Sequence, residues 1–308
     1  MDLNDRRILI TGPTSQVGRP ITMALAAAND VVGLARFSDE VARADLEAAG
    51  VRCVPVDLVD PDFSAVPTDV DVVLNFAVTK TGDFGADLAA NAEATGLLMH
   101  HLASVEAFLH CSSTGVYQPV GARPFTEDSP LGDHHRVMFP TYSIAKIAAE
   151  TMVRFGARAY GIPTVIARLN VPYGDGGGWP WLHMEMILAG QPIMIHPDGP
   201  NAFNPIHDDD IVASIPSLLD AAAVPAPTIN WGGSEAVTIE EWSTYLGQLM
   251  GKPVSFEASE SALSPVPVDI TRFETVHGPT TTDWRVGFRR MVEHLHPELE
   301  LTDPGTTS

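Results

Sequence analysis

Tyr142 and Lys146 stand four residues apart in the stretch Tyr142-Ser143-Ile144-Ala145-Lys146. On a helix that spacing puts both side chains on one face, one turn apart. An ammonium near a phenol favours the phenolate and lowers the phenol's pKa. A tyrosine tuned in this way can give a proton to a carbonyl oxygen or take one from an alcohol. The pattern is short, and two unrelated residues on a helix surface would also produce it. Its weight depends on the elements that must hold it.

Those elements begin at the N-terminus. Arg7–Thr11 reads as a buried strand, Gly12-Pro13-Thr14-Ser15-Gln16-Val17-Gly18 as a turn, residues 21–28 as an alanine-rich helix and Asp30–Ala35 as a second strand. Strand, glycine turn, helix and strand open a dinucleotide-binding unit. The helix N-terminus offers a pyrophosphate free N–H groups and the positive end of the helix dipole. Gly12 and Gly18 hold the outer positions of the turn, with Thr14, Ser15, Gln16 and Val17 between them. Ser15 replaces a middle glycine, and its hydroxyl could donate to phosphate. An ordinary strand-to-helix turn is the competing reading, which the flanking strand and helix disfavour. At the end of the second strand an NAD-binding chain usually carries an acid for the ribose hydroxyls. Here Leu34-Ala35-Arg36-Phe37-Ser38 has no acid before Asp39. Arg36, with Ser38 close by, suits the 2′-phosphate of NADP, so NADP is expected over NAD.

Further strands are expected at 51–55, 70–76, 107–111 and 163–168. Asp57, just past the first of these, could accept from an adenine amine or simply form a turn. Residues 70–76 are nearly all apolar, as in a central parallel strand. Lys80 follows its carboxyl end, where the ligand crevice of such sheets lies. A long helix over 84–103 carries Asn91, and the strand at 107–111 runs into Ser112-Ser113-Thr114-Gly115-Val116-Tyr117. Residues 118–139 read as a loop rich in Pro, Gly and acids, and the helix with Tyr142 comes next.

Composition narrows the partners. The formal net charge of −21 over 308 residues argues against nucleic acid and anionic membranes. Thirteen of the eighteen Lys and Arg lie at or before Arg168, and none lies between Tyr173 and Met250. An anionic ligand should therefore be held mainly by the first half. Cys53 and Cys111 end strand-like runs and read as buried thiols, without disulfide or zinc spacing. The N-terminal apolar run is shorter than a signal peptide's, and none is long enough to span a bilayer, so a cytoplasmic protein is expected.

Six motifs stand in a consistent order and spacing. They are Thr11-Gly12-x-x-Ser15-x-x-Gly18, Ser112-Ser113-x-x-Val116-Tyr117, Tyr142-x-x-x-Lys146, Arg168…Tyr173-Gly174, His207-Asp208-Asp209-Asp210-Ile211 and Asn230-Trp231-Gly232-Gly233. With these the chain resembles the extended short-chain dehydrogenase/reductases, the NAD-dependent epimerase/dehydratase family, over about residues 6–251. The resemblance implies an α/β fold with a doubly wound parallel Rossmann sheet over 1–172, to which 205–232 return. It implies a smaller C-terminal substrate-binding part made of 173–204 and 233–308. Ser113 would polarise the substrate oxygen, Tyr142 would act as acid/base, and Lys146 would bind the nicotinamide ribose and lower the Tyr pKa. By the same mapping Asp57 and Leu58 contact adenine, while Phe76, Ala77 and Leu169 line the cofactor. Lys80 reaches its pyrophosphate, and Thr114 and Val171 fall on the substrate side. A homodimer through the helices bearing Asn91 and Tyr142 is implied as well.

The departures from the family pattern bear on the substrate. Asn170 stands one residue earlier than the Asn that commonly contacts a sugar nucleotide. Thr114-Gly115 occupies the place of the acidic pair that assists elimination in sugar-nucleotide dehydratases, so dehydration is not expected by that route. The second half offers Trp179, Trp181, Met184 and Met186 in one short stretch, which could line an apolar pocket or pack against the sheet. His207 to Asp210 reads as a helix entrance, where acids favour the first turn, rather than as a metal cluster, so no metal is expected. A hairpin-like segment is expected across 191–206, helices from Thr238 to Met250 and over 283–294, and a mobile tail over 301–308. Paired Arg usually hold the diphosphate of a sugar nucleotide, and the cationic gap makes a small, neutral, partly apolar carbonyl or alcohol the better fit. The leading expectation is an NAD(P)-dependent oxidoreductase. A sugar-nucleotide epimerase and a non-catalytic NADP-sensing regulator compete with it, although a sensor has no need of Ser113, Tyr142 and Lys146.

Overall fold

Apolar runs become strands, the central ones buried on both faces. In the computed structural model, which describes residues 1–303 except Val120 and Ala122, seven of them form one sheet. They are β1 (Arg7–Thr11), β2 (Asp30–Ala35), β3 (Arg52–Pro55), β4 (Val72–Asn75), β5 (Ala107–Ser113), β6 (Thr164–Leu169) and β7 (Thr228–Trp231). Their order is β7-β6-β5-β4-β1-β2-β3, and every neighbouring pair is parallel. This is the doubly wound Rossmann arrangement. Its switch point falls between β1 and β4, whose carboxyl ends open the ligand crevice. β5 and β6 are buried at every position, as strands covered by helices on both sides must be.

Ten α-helices complete the described chain: α1 (Gly18–Ala26), α2 (Glu40–Ala48), α3 (Phe84–Leu88), α4 (Ala94–His101), α5 (Tyr142–Tyr160), α6 (Trp179–Leu188), α7 (Asp208–Asp220), α8 (Ile239–Met250), α9 (Thr271–Val276) and α10 (Trp284–Leu295). One sheet face packs Ile8, Ile10, Leu74 and Val165 against Ile211, Ile215 and Leu218 of α7. The other packs Leu9, Val73, Phe108 and Ile166 against Leu98 and Met99 of α4 and Val153 and Ala157 of α5. A third core joins α6, α8 and α10 through Met184, Trp242 and Phe288, with Tyr117 and Tyr173. No helix among the described residues is long and apolar enough to cross a membrane.

Several local expectations change. The helix expected over 84–103 is interrupted by a π-helical turn at Ala89–Glu93. The extra residue aims Asn91 at the loop after β4, where it donates to the carbonyls of Thr79 (2.8 Å) and Asp87 (2.7 Å) and accepts from Thr79 N–H (3.0 Å). The hairpin-like segment is not a hairpin. Ile193–Ile195 pairs with Phe256–Ala258, Ala202–Phe203 with Val237–Thr238, and Pro205–His207 with Val171–Gly174. Apolar residues on these short strands must reach the third core, which partners distant in sequence complete. The entrance to α7 is as expected, with His207 as its N-cap and three Asp in the first turn. Thr238 and Glu241 form a capping box on α8. Of the expected tail, residues 304–308 lie outside the described residues.

Candidate active site

β5 and the first turn of α5 bring the chemical residues together. Alternation along β5 sends Ser112 and Ser113 to opposite faces. The Ser113 hydroxyl lines a cavity of about 490 Å³ and caps the next turn by accepting from Gly115 N–H at 3.0 Å. Tyr142, half-buried at the start of α5, lines the same cavity. Lys146 lies one turn deeper, 4 % exposed, and its ammonium donates to the Cys111 carbonyl of β5 at 2.8 Å. That bond changes one expectation. Burial pushes the Tyr142 phenol up to about 12, with the Ser113 hydroxyl acting in the opposite sense. The anticipated lowering by Lys146 is not seen, because the strand carbonyl engages the ammonium and desolvation of the phenolate dominates.

A buried ion pair fixes this geometry from the far side of β5. Glu150, on the next turn of α5, takes two bonds from Arg168 of β6, both 2.8 Å. It also accepts from Ser112 (2.7 Å) and Arg154 (3.0 Å). Arg168 donates a further bond to the Glu127 carbonyl at 3.0 Å, and its guanidinium lies 4.9 Å from the centre of the Tyr117 ring. Helix, two sheet strands and the preceding loop are thus tied within one helical turn of Lys146. Glu150 was not singled out by sequence, since a lone Glu on a helix carries no signal until its partner strand is known.

The glycine turn is built for close approach. Gly12 has φ +67°, and an added Cβ would sit 3.0 Å from the Ala77 backbone. The Ser15 hydroxyl donates to the Gly12 carbonyl (2.8 Å) and accepts from Gly18 N–H (3.0 Å). It therefore braces the turn and is not free to donate to phosphate, contrary to expectation. The N–H groups of Gln16 and Val17 make no hydrogen bond among the described residues and precede α1. Two free donors at a helix N-terminus above a glycine floor fit the diphosphate of a dinucleotide. Gly18→Ala should lower dinucleotide affinity by tenfold or more, about 1.4 kcal/mol, because the new Cβ would collide with the Gly12 carbonyl oxygen. Fluorescence titrations with NADH and NADPH would measure it.

The remaining predicted residues separate into two groups. Thr114, Val171, Trp179, Trp181, Lys80 and Gln16 line the cavity with Ser113 and Tyr142. Lys80 places its ammonium 4.6 Å from the Phe139 ring centre and 5.5 Å from that of Tyr142. Met184 does not line it. This side chain is fully buried in the third core, because its turn of α6 faces inward while Trp181 and Leu182 face out. Phe76 also turns into the core, against Trp231, and only its backbone approaches Gly12. Leu169 is likewise buried, beside Ser113 in register. Ala77 anchors its N–H on Thr11 (3.0 Å). Arg36 and Ser38 are exposed on either side of Phe37, whose φ of +52° is uncommon for a bulky residue. No carboxylate among the described residues pairs with Arg36. Asp57 is exposed and closes a turn by accepting from Val59 N–H at 3.0 Å; Leu58 packs on the second core.

Sequence reasoning passed over His134, His135, Met138 and Phe139 in the loop before α5, and Phe203, Leu263 and Val266 beyond it, all of which line the cavity. The adjacent histidines just ahead of the Tyr helix were the available signal. Burial pushes His134 down to about 4 and, with His134 and Lys80 nearby, His135 down to about 3.

The sequence pattern of the NAD dependent epimerase/dehydratase family matches residues 8–232. The chain belongs to this family. Among curated relatives, the trifunctional UDP-glucose 4,6-dehydratase/UDP-4-keto-6-deoxy-D-glucose 3,5-epimerase/UDP-4-keto-L-rhamnose-reductase of Arabidopsis thaliana is 27% identical over 53% of the chain and 26% of its own length. The 2'-dehydrokanamycin reductase of Streptomyces kanamyceticus is 26% identical over 69% of the chain and 58% of its own length. The match thus spans less than two thirds of either relative. In fold, the chain is similar to the UDP-glucuronic acid 4-epimerase of Bacillus cereus, solved with UDP-glucuronic acid and NAD, with a TM-score of 0.81 at 21% identity over 95% of this chain and 99% of that one. As a member of the NAD-dependent epimerase/dehydratase family the chain is an enzyme on a Rossmann fold.

Proposed function

We propose that this enzyme transfers hydride between a nicotinamide cofactor and the secondary carbonyl or alcohol of a small, neutral, partly apolar substrate. One observation carries the reading. The cavity that contains Ser113 and Tyr142 is walled by Met138, Phe139, Trp179, Trp181, Leu182 and Phe203, and Lys80 is its one cationic residue among the described lining. Paired Arg usually hold the diphosphate of a sugar nucleotide, and no Arg lines this cavity among the described residues. Bound nicotinamide supplies or accepts the hydride. Tyr142 gives the carbonyl oxygen its proton, or removes it from the alcohol, and Ser113 holds that oxygen by a hydrogen bond. On this reading Lys146, whose ammonium bonds the Cys111 carbonyl, has the nicotinamide ribose as its partner. The substrate-binding part is assigned to 173–204 and 233–308. A homodimer is supported by Leu97 on α4 and Phe155 on α5, exposed at 50% and 57%.

NADP is assigned over NAD on the exposed Arg36 beside Ser38. Arg36→Ala should cost NADPH about tenfold or more in affinity and leave NADH within about twofold, since a charged hydrogen bond to phosphate contributes roughly 1.5–3 kcal/mol. Equal losses for both cofactors, or a native preference for NADH, would reverse the assignment.

Family membership favours a second reading, a sugar-nucleotide epimerase that oxidises and re-reduces its substrate with the same residues. It predicts interconversion of a UDP- or dTDP-sugar with no net cofactor change. The reductase reading is tested by net oxidation of NADPH with neutral ketones. Turnover with a nucleotide sugar alone would favour the epimerase.

A further inference from the structure

His135 and Tyr142 meet edge-on in the cavity, with ring centres 5.2 Å apart. The His135 backbone is pinned to α5. Its N–H donates to the Ser143 hydroxyl at 3.1 Å, and its carbonyl accepts from Phe139 N–H at 2.7 Å. Phe139 also stacks on the His135 ring, at 6.2 Å and 25°. The ring itself packs against Gly115, where an added Cβ would sit 2.4 Å from it. Position and orientation are therefore fixed from three sides.

The proton positions follow from the hydrogen-bond chain. His134 Nε2 lies 2.7 Å from the Ser264 carbonyl, and a carbonyl only accepts, so His134 carries its proton on Nε2. Burial keeps His134 neutral, which leaves its Nδ1 as a lone pair. That Nδ1 is 3.2 Å from His135 Nδ1. His135 must then donate from Nδ1, and its own Nε2 is a bare acceptor. This Nε2 has no partner among the described residues and is not among the sealed, unsatisfied atoms. His135 lines the Tyr142 cavity.

We infer that His135 Nε2 accepts a hydrogen bond from a substrate hydroxyl borne on a carbon one or two bonds from the carbon whose oxygen Tyr142 protonates. This rests on the carbonyl-reduction reading and narrows it to hydroxy ketones and the matching diols. His135 is then a specificity-determining residue. The Ser264–His134 chain fixes its tautomer, as second partners commonly do for functional histidines.

Two probes differing in one hydroxyl, cyclohexanone and 2-hydroxycyclohexanone, test the inference on the full chain with NADPH present. In protein labelled with ¹⁵N-histidine, His135 should show a protonated Nδ1 and a bare Nε2. Its Nε2 signal, assigned by its loss in His135→Phe, should move with the hydroxy ketone and not with the ketone. Native enzyme should prefer the hydroxy ketone by about tenfold in kcat/KM, and the preference should fall to about one in His135→Phe and partly return in His135→Asn, whose amide oxygen can accept. A protonated Nε2, an equal response to both probes, or no response to either would overturn the inference. Selective movement of Nε2 without NADPH oxidation would support His135 as the hydroxyl acceptor and count against hydride transfer alone, so the two readings fail separately.

Discussion

Tyr142→Phe should lower turnover by about 10³-fold while dinucleotide affinity stays within about twofold. The phenol lines the cavity beside Ser113, whereas the donors suited to the diphosphate lie at Gln16 and Val17. Phe keeps the ring that packs edge-on against His135 and Phe139, so the cavity keeps its shape. Only the transferable proton is removed. Burial holds the phenol protonated well above neutral pH, with its pKa pushed up to about 12. Carbonyl reduction, which needs the protonated form, should then be flat with pH through the neutral range. Alcohol oxidation, which needs the phenolate, should accelerate as pH rises. Steady-state rates in both directions, with a cofactor titration of the variant, would measure this. Retention of more than a tenth of native turnover would remove Tyr142 from the chemistry.

Glu150→Ala should destabilise the fold by about 3–5 kcal/mol, because it leaves the Arg168 guanidinium buried without its partner. Arg168 is 2% exposed, and Glu150 receives four bonds, from Arg168, Ser112 and Arg154. Replacing both members, as Glu150→Met with Arg168→Met, should recover much of the loss, since it removes the buried charge together with its partner. The pH dependence has a definite sign. Burial alone would raise the Glu150 carboxyl, but Arg168, Ser112 and Arg154 outweigh it and hold the pKa below the ordinary value of 4.5. A carboxylate lowered on folding contributes its full stability above the unfolded pKa. That contribution is lost as pH falls through the folded value. Urea unfolding of native protein and variants, at neutral pH and below pH ~4, would show the loss. A cost under about 1 kcal/mol for Glu150→Ala would mean that water replaces the guanidinium's partner.

Much of the fold could be read from local pattern. Strand, glycine turn and helix at residues 7–26 are short-range signals, and the nearly all-apolar run at 70–76 marks itself as a central strand. Side-chain direction within those elements was less legible. Met184, which could have lined a pocket or packed, and Phe76, expected at the cofactor, both face the core, because the sequence does not say which side of α6, or of the chain leaving β4, meets solvent. Ser15 was expected to reach out to phosphate, yet it spends its hydroxyl on Gly12 and Gly18. The Lys146 ammonium was expected to tune Tyr142, yet it bonds a carbonyl on a strand 35 residues away in sequence. The differences at Met184, Phe76 and Lys146 arise from partners far off in the chain, whereas Ser15 is held within its own turn. The histidine chain from Ser264 through His134 to His135 spans 130 residues in its first link alone, so only the adjacent histidine pair is visible locally.

The most direct test of the account is the stoichiometry of the cofactor. Purified enzyme with NADPH and 2-hydroxycyclohexanone should oxidise one nicotinamide for each diol formed, and Tyr142→Phe should abolish it. Conversion of a UDP- or dTDP-sugar to its epimer, with nicotinamide absorbance unchanged over many turnovers and no reduction of the ketone, would contradict it.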